Sequence, residues 1–323
     1  MNMHSDGPDG ASSEGLLSEI ARRYHIDGET QDAIAKALDL SRMKVNRMLR
    51  EAQTRGIVDV RVRFQSSRTR ELEEAFARRF GLRHLLIAPA ARLAERQRAN
   101  VATIVSAYLE ANLREGTVIA VGMGRNVSAI AAVRTQARFD DLTFVAGSGG
   151  ASEAGEEGNA DHICRALARR FGGRAATLYA PAYVPDATMR EALMRNETVR
   201  RTLSLARGAD YALIGIGDLG ADSHMSRMGW FEAHELRAAQ SVGVAGDLMG
   251  YDFFDRDGRA SNEVLGGRVV GLTREDLTRI GTTIAIASED SKASAILGAL
   301  RSGAIDVLAT TITNCETIFR NMT

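Results

Sequence analysis

The sequence holds few of the residues that tie a chain together covalently or break up its regular structure. Cysteine occurs only at Cys164 and Cys315, too few for a disulfide framework, and no Cys/His group with zinc spacing surrounds them, so no metal is expected. Four prolines in 323 residues, against a well-mixed background, exclude a fibrous or disordered chain. No run approaches the roughly 18 uncharged apolar residues that cross a bilayer. The opening MNMHSDGPDGASSEG has neither the basic nor the apolar segment of an export signal. These absences predict a cytoplasmic chain with no membrane partner. Net charge is missing too, with 41 basic and 41 acidic side chains. That balance argues against a polyanion partner only if the charges are evenly spread.

What is present is 45% hydrophobic and 25% charged, which suits one large domain plus a small one. Residues 1–14 carry almost nothing apolar and read as a disordered tail. Helical apolar spacing follows at Leu16, Leu17, Ile20, Ala21 and Tyr24, then at Ile34, Ala35 and Leu38, then at Val45, Met48 and Leu49. In GIVDVRVRF, Val58, Val60, Val62 and Phe64 alternate with charged residues, as in a half-buried strand. Residues 15–64 are thus a small domain, 65–69 a polar linker, and 70–323 a large domain. In the last, short apolar runs alternate with helical stretches: LLIAPA, TVIAVG, LTFVAG, ATLYAP, YALIGIG, RVVGL, TTIAIAS and DVLAT. Continuous apolar strands separated by helices indicate a doubly wound α/β domain with a mostly parallel sheet covered on both faces. A short β-rich insertion is expected near 244–265.

The small domain carries the marks of a helix-turn-helix in TQDAIAKALDLSRMKVNRML. Thr30 and Ser41 are suited to cap successive helices, Ala35 is small where helices approach, and Val45 faces the core. Asp39 occupies the tight turn, where a left-handed residue is wanted and Asp is tolerated. The hidden charge asymmetry lies here. From Lys36 to Arg63 there are eight basic against three acidic side chains. A basic patch on the third helix and following strand is what a reader of double-stranded DNA requires. The candidate contacts are Thr30, Gln31, Ser41, Arg42, Lys44, Asn46, Arg47 and Arg50; the alternative is a solvated face of a three-helix interaction module.

In the large domain, VGMGRNVS runs from strand through Gly122 and Gly124 into a helix, where backbone N–H groups attract an anion. Further glycine turns follow strands at Gly147-Ser148-Gly149-Gly150 and Gly215-Ile216-Gly217. Several glycine loops converging at the carboxyl ends of parallel strands indicate one site for a small anionic ligand. The stretch GDLMGYDFFDRDG interleaves Asp247, Asp252, Asp255 and Asp257 with aromatics, a combination suited to hydroxyl-rich sugars. Lys292, the only lysine in the second half of the chain, opens a helix where the dipole disfavours it, which suggests work for a compact point charge. There is no nucleophile elbow, Walker loop or HExxH, and His224 and His234 lack a persuasive partner. Neither a catalytic residue nor a cofactor is expected.

From about Leu16 onward the chain resembles the sugar-binding transcriptional regulators of the SorC/DeoR type. The likeness rests on TQDAIAKALDLSRMKVNRMLREAQTRGIVDVRV, VGMGRNVSAI, YALIGIG, AGDLMGYDFFDRDGR, RVVGLTREDLTRI and SKASAILGALRSGAIDVLAT, which occur in the family's order. It implies an N-terminal winged helix-turn-helix and a Rossmann-like effector domain related to sugar-phosphate isomerases. It also implies operator DNA and a sugar or sugar-phosphate effector as partners, and a homodimer or homotetramer. By the same resemblance Gly122, Gly124, Arg125 and Asn126 fall on a phosphate loop, Asp255 on a sugar-contacting block and Lys292 on a phosphate lysine; Gly147, Ser148, Gly149 and Asp252 complete the candidate effector site. Three departures stand out. Asn126 replaces a usual threonine or serine, Glu289-Asp290 replaces a glycine pair, and the tail reads ATTITNCETIF, where an aspartate and glutamate are usual after the threonine. The competing function is a sugar-phosphate isomerase or deaminase with an accessory DNA module, which the absence of a visible acid/base pair disfavours.

Overall fold

The computed structural model describes residues 9–58, 67–135, 137–151, 158–220, 231–249, 252–263 and 267–322. The chain divides into two compact units, 1–63 and 64–323.

The first unit contains α1 (Asp9–His25), α2 (Gln31–Ala37) and α3 (Arg42–Thr54). Leu17, Ile20, Ile34, Ala35, Val45, Met48 and Leu49 form its buried core, the 3.6-residue spacing of the sequence turned inward. The Thr30 hydroxyl accepts from the Ala33 N–H and the Ser41 hydroxyl from the Lys44 N–H, each at 3.2 Å, so both helices start where their capping residues dictate. Asp39 takes the turn with φ 52°. Helix α1 begins at Asp9, inside the stretch expected to be a disordered tail. The strand expected over residues 56–64 lies outside the described residues beyond Val58.

The second unit opens with α4 (Ser67–Phe80), so the expected linker 65–69 runs into a helix. The linker reading failed because the anchors are remote: Thr69 is buried and the Arg68 guanidinium stacks 4.8 Å from the Phe319 ring. Then follow β1 (His84–Ala88), α5 (Ala94–Asn112), β2 (Val118–Val121), α6 (Arg125–Ala132), β3 (Thr143–Ala146), α7 (Ala160–Phe171), β4 (Arg174–Ala176), α8 (Ala187–Arg195) and α9 (Glu197–Arg207). The chain continues through β5 (Tyr211–Gly217), α10 (Ala233–Ser241), β6 (Val244–Leu248), β7 (Asp252–Asp255), α11 (Arg274–Leu277), β8 (Thr282–Ile286), α12 (Ala293–Arg301), β9 (Val307–Thr311) and α13 (Ile312–Arg320). A 3-10 turn, Asp290–Lys292, leads into α12.

The strand order is β1-β9-β8-β5-β2-β3-β4, and every neighbouring pair along it is parallel. Alternate residues serve opposite faces. Ile119 and Val121 of β2 join a core with α5, α6 and α7, while Ala120 joins a second core with α4, α12 and α13. Cys164 lies buried in the first and Cys315 in the second, and burial pushes both thiols well above their ordinary range. The expected β-rich insertion is the antiparallel β6–β7 pair, joined to the end of β5 through Gly217 and Asp247. The run RVVGL is not a sheet strand; Val269 and Gly271 make only isolated bridges, to Tyr183 and Ser148. After β2 the chain moves towards β3 and β4, whereas from β5 it moves the other way to β8 and β9. The order therefore reverses between β2 and β5, where open α/β sheets leave a crevice at their carboxyl edge.

The left-handed backbone at Asp39 makes a test of the small unit. A β-branched side chain is strained there by roughly 1–2 kcal/mol, whereas glycine adopts the conformation freely. Urea unfolding should therefore show Asp39→Val destabilised and Asp39→Gly close to wild type. Equal loss in both would mean that the Asp39 side chain, not its backbone, matters.

Candidate functional site

In the first unit, packing decides which side chains are available. With Val45, Met48 and Leu49 turned inward, Arg42, Lys44, Arg47 and Arg50 are exposed on the other faces of α3. Met43 stands among them, 82% exposed. Arg42 makes an ion pair of 3.6 Å with Asp32, both largely in solvent, a contact too screened to hold it. The Asn46 amide donates to Gln31 Oε1 at 3.4 Å, linking α3 to the start of α2. Thr30 and Ser41 use their hydroxyl oxygens as caps.

In the second unit, the carboxyl edge beside the strand-order reversal gathers a polar network. Gly124 caps α6 with φ 106°, a conformation only glycine adopts readily. No side chain caps this helix, which leaves its first-turn N–H groups facing the edge. Asn126, buried in that first turn, donates from Nδ2 to Glu289 Oε2 at 2.9 Å and accepts at Oδ1 from the Ser288 hydroxyl at 2.6 Å. Lys292 Nζ lies 3.2 Å from the same Glu289 oxygen and donates to the Ile216 carbonyl at 2.8 Å. Arg98 and Arg125 approach the other Glu289 oxygen at 3.6 and 3.9 Å. Gln97, buried on α5, donates from Nε2 to the Ser288 carbonyl at 2.6 Å and to Asp290 Oδ1 at 3.0 Å. Asn314 donates to the Glu289 carbonyl at 3.2 Å, and Ser291 to Asp218 at 3.3 Å.

Burial alone would raise the Glu289 carboxyl, but the neighbouring Lys292 ammonium and the Asn126 hydrogen bond outweigh it and hold the group at about 2. A carboxylate so placed stays ionised throughout the neutral range.

The structure brings together Gly122, Gly124, Arg125, Asn126 and Lys292, with Gly147, Ser148 and Gly149 at the end of the adjoining strand β3. The absent side chain at Gly147 makes room for the Met249 methyl, which a Cβ there would meet at 2.9 Å, whereas a Cβ on Gly122 would press on the Leu213 carbonyl at 3.2 Å. Met249 reaches Gly147 from a left-handed backbone, φ 62°. Gly149 is hemmed in by the backbone of residues 180–182. Ser148 Oγ is buried without a hydrogen-bond partner among the described residues.

Two expected sugar acceptors are committed elsewhere. Asp252 is buried in a two-point pair with Arg274, accepting from its guanidinium and its backbone N–H at 2.7 Å each. Asp255 accepts from the backbone N–H groups of Asp257 and Arg259 at 2.9 Å, closing its own turn, and its carbonyl packs at Gly298, well along α12 from Lys292. Asp247 stands nearer the edge, buried and paired in register with Gly217. Arg98, Gln97 and Ser288 carried no sequence motif; their role comes from contacts across some 190 positions. His234 is exposed beside Glu232, and His224 lies outside the described residues.

Among the described residues no helix is long and apolar enough to cross a membrane, and no cluster of His, Cys, Asp or Glu is placed to hold a metal. An open parallel sheet with a polar network at its reversal point defines a small-ligand-binding α/β unit. Residues 65–320 match the Sugar-bind family, a sugar-binding domain. The chain is 43% identical to the sugar-binding domain of a transcriptional repressor from Vibrio fischeri, with a TM-score of 0.72, covering 78% of this chain and 98% of that one. It is 27% identical over 313 residues to the transcriptional regulator LsrR of Enterobacter sp. (strain 638), covering 95% and 93% of the two chains. The full-length sorbitol operon regulator SorC from Klebsiella pneumoniae shares the fold, with a TM-score of 0.71 at 22% identity over 95% of this chain and 99% of that one. The chain belongs to the SorC/DeoR-type family of sugar-binding transcriptional regulators.

The Glu289 network has a pH signature. The folded carboxyl sits at about 2 and the unfolded one at about 4.3. Its stabilisation is therefore complete above the unfolded value and is lost as pH falls towards the folded one. The stability advantage of wild type over Glu289→Gln should shrink by about 2 kcal/mol between pH 6 and pH 3. Urea titrations at the two pH values check this; an unchanged difference would show that the carboxylate charge is not what stabilises.

Proposed function

We propose that the protein regulates transcription of a carbohydrate-metabolism operon. In this reading α2 and α3 form a winged helix-turn-helix on operator DNA, and the Rossmann-like second unit binds a small sugar or sugar phosphate at its carboxyl edge and self-associates as a dimer or tetramer. The observation that carries it is the division of α3: an apolar face consumed by the core and a solvent face bearing Arg42, Lys44, Arg47 and Arg50. In a chain of zero net charge such a concentration needs a purpose, and phosphate neutralisation together with base-edge donors supplies one. Gln31 and Asn46, bonded to each other, fix the spacing of the two helices, while the caps Thr30 and Ser41 set their starting points. The family's regulators favour binding over turnover of the sugar.

Mutation separates base reading from phosphate contact. Arg47→Ala should cost roughly 1–3 kcal/mol of specific binding, whereas Arg50→Ala should weaken binding to all sequences alike and lower the salt slope by about one. Fluorescence anisotropy on operator and random duplexes reads both effects. Unchanged affinity in both variants would remove α3 as the reader. Sedimentation of the full chain should give a dimer or a tetramer, since one small reader on a single half-site binds weakly; a monomer would contradict the oligomeric part of the proposal.

A further inference from the structure

The Glu289 carboxylate occupies the place where an anion would be expected. It faces one ammonium and two guanidinium groups, from Lys292, Arg98 and Arg125, and it receives the Asn126 amide beside the uncapped start of α6. These groups come from α5, α6 and the turn before α12. That is the donor set a phosphate monoester would use, gathered on a side chain of the protein itself. Two of the three Lys292 donors are already taken, by Glu289 and by the Ile216 carbonyl. Among the described residues the edge also carries acids: Asp290, held by Gln97, Asp218, held by Ser291, and the buried Asp247. Among the described residues these three cations meet four carboxylates, so together they offer a second anion no net attraction. A dianionic ester would have to expel a carboxylate that keeps its charge at neutral pH.

We propose that Glu289 is a built-in anion filling the phosphate position, and that the effector is consequently an uncharged polyhydroxy compound. This deepens the sugar-binding reading of the same edge and rests on it. Asn126 completes the arrangement from a buried position in the first turn of α6. Its amide donates to the carboxylate and accepts from Ser288 at once, so Asn126 and Glu289 are partners. The carboxylates and the remaining Lys292 donor suit hydroxyl groups, which both give and accept hydrogen bonds.

Inorganic phosphate is a probe that does not require the effector to be known. In thermal-shift and calorimetric titrations at constant ionic strength, the full-length wild type should show no binding of phosphate beyond that of chloride. Glu289→Gln, which keeps the shape and removes the charge, should bind phosphate roughly ten- to a hundredfold tighter than wild type. The double variant Glu289→Gln/Lys292→Gln should lose that gain. Should Glu289→Gln fold poorly, Glu289→Ala leaves a space of carboxylate size. Specific restoration of its folding by phosphate, and not by chloride, would support the proposal equally. Phosphate binding by wild type, or no gain in either Glu289 variant, would overturn it. A parallel titration of wild type with free sugars and polyols tests the underlying reading separately. No response to any of them would count against sugar binding, whatever the phosphate result.

Discussion

A carboxylate withdrawn from water has to be matched by charge and hydrogen bonds, and at Glu289 that requirement is met from three sides. Arg98 comes from α5, Arg125 and Asn126 from α6, and Lys292 from the turn before α12. None of these elements is adjacent in sequence to the others. Removing one partner would leave a partly buried charge unbalanced, which costs more than the contact itself contributes. The network thereby holds in one arrangement the loops that follow β1, β2 and β8, the second of which borders the reversal of strand order.

The features legible in the sequence were those fixed by neighbours in the chain. Thr30 and Ser41 cap the helices they precede because a cap needs only the next three residues, and Val45 faces inward because helical spacing puts it there. The strand-to-helix turn at Gly124 and the lysine ahead of α12 were likewise local signals. What escaped depends on distant partners. Asp252 looked available beside aromatics until Arg274 was seen to claim it. The glycine at 147 looked like room for a ligand, and Met249, in the turn after β6, fills that room. The polar residues 67–69 read as linker because Phe319, which anchors Arg68, lies some 250 positions away. Glu289 and Asn126 were each visible as a departure from the family's pattern. Their hydrogen bond, which makes sense of both, was not.

The two units divide the labour of a regulator along physical lines. The first is a small core with a cationic face, suited to a long uniform polyanion whose affinity depends on salt. The second is a large two-faced sheet whose buried polar edge suits a small ligand with several hydroxyls. A ligand can alter DNA affinity only by as much as it distinguishes the states that bind DNA well and badly. The carboxyl edge, where separate loops meet on shared charges, is a place where such a distinction can arise.

The most direct measurement is the operator affinity of the full chain, titrated with hexoses, pentoses, polyols and their phosphate esters, in wild type and Lys292→Met. Wild type should change its operator affinity with one of these compounds, and Lys292→Met should bind the operator normally while losing most of that response. An undiminished response in Lys292→Met would show that the effector acts elsewhere on the protein.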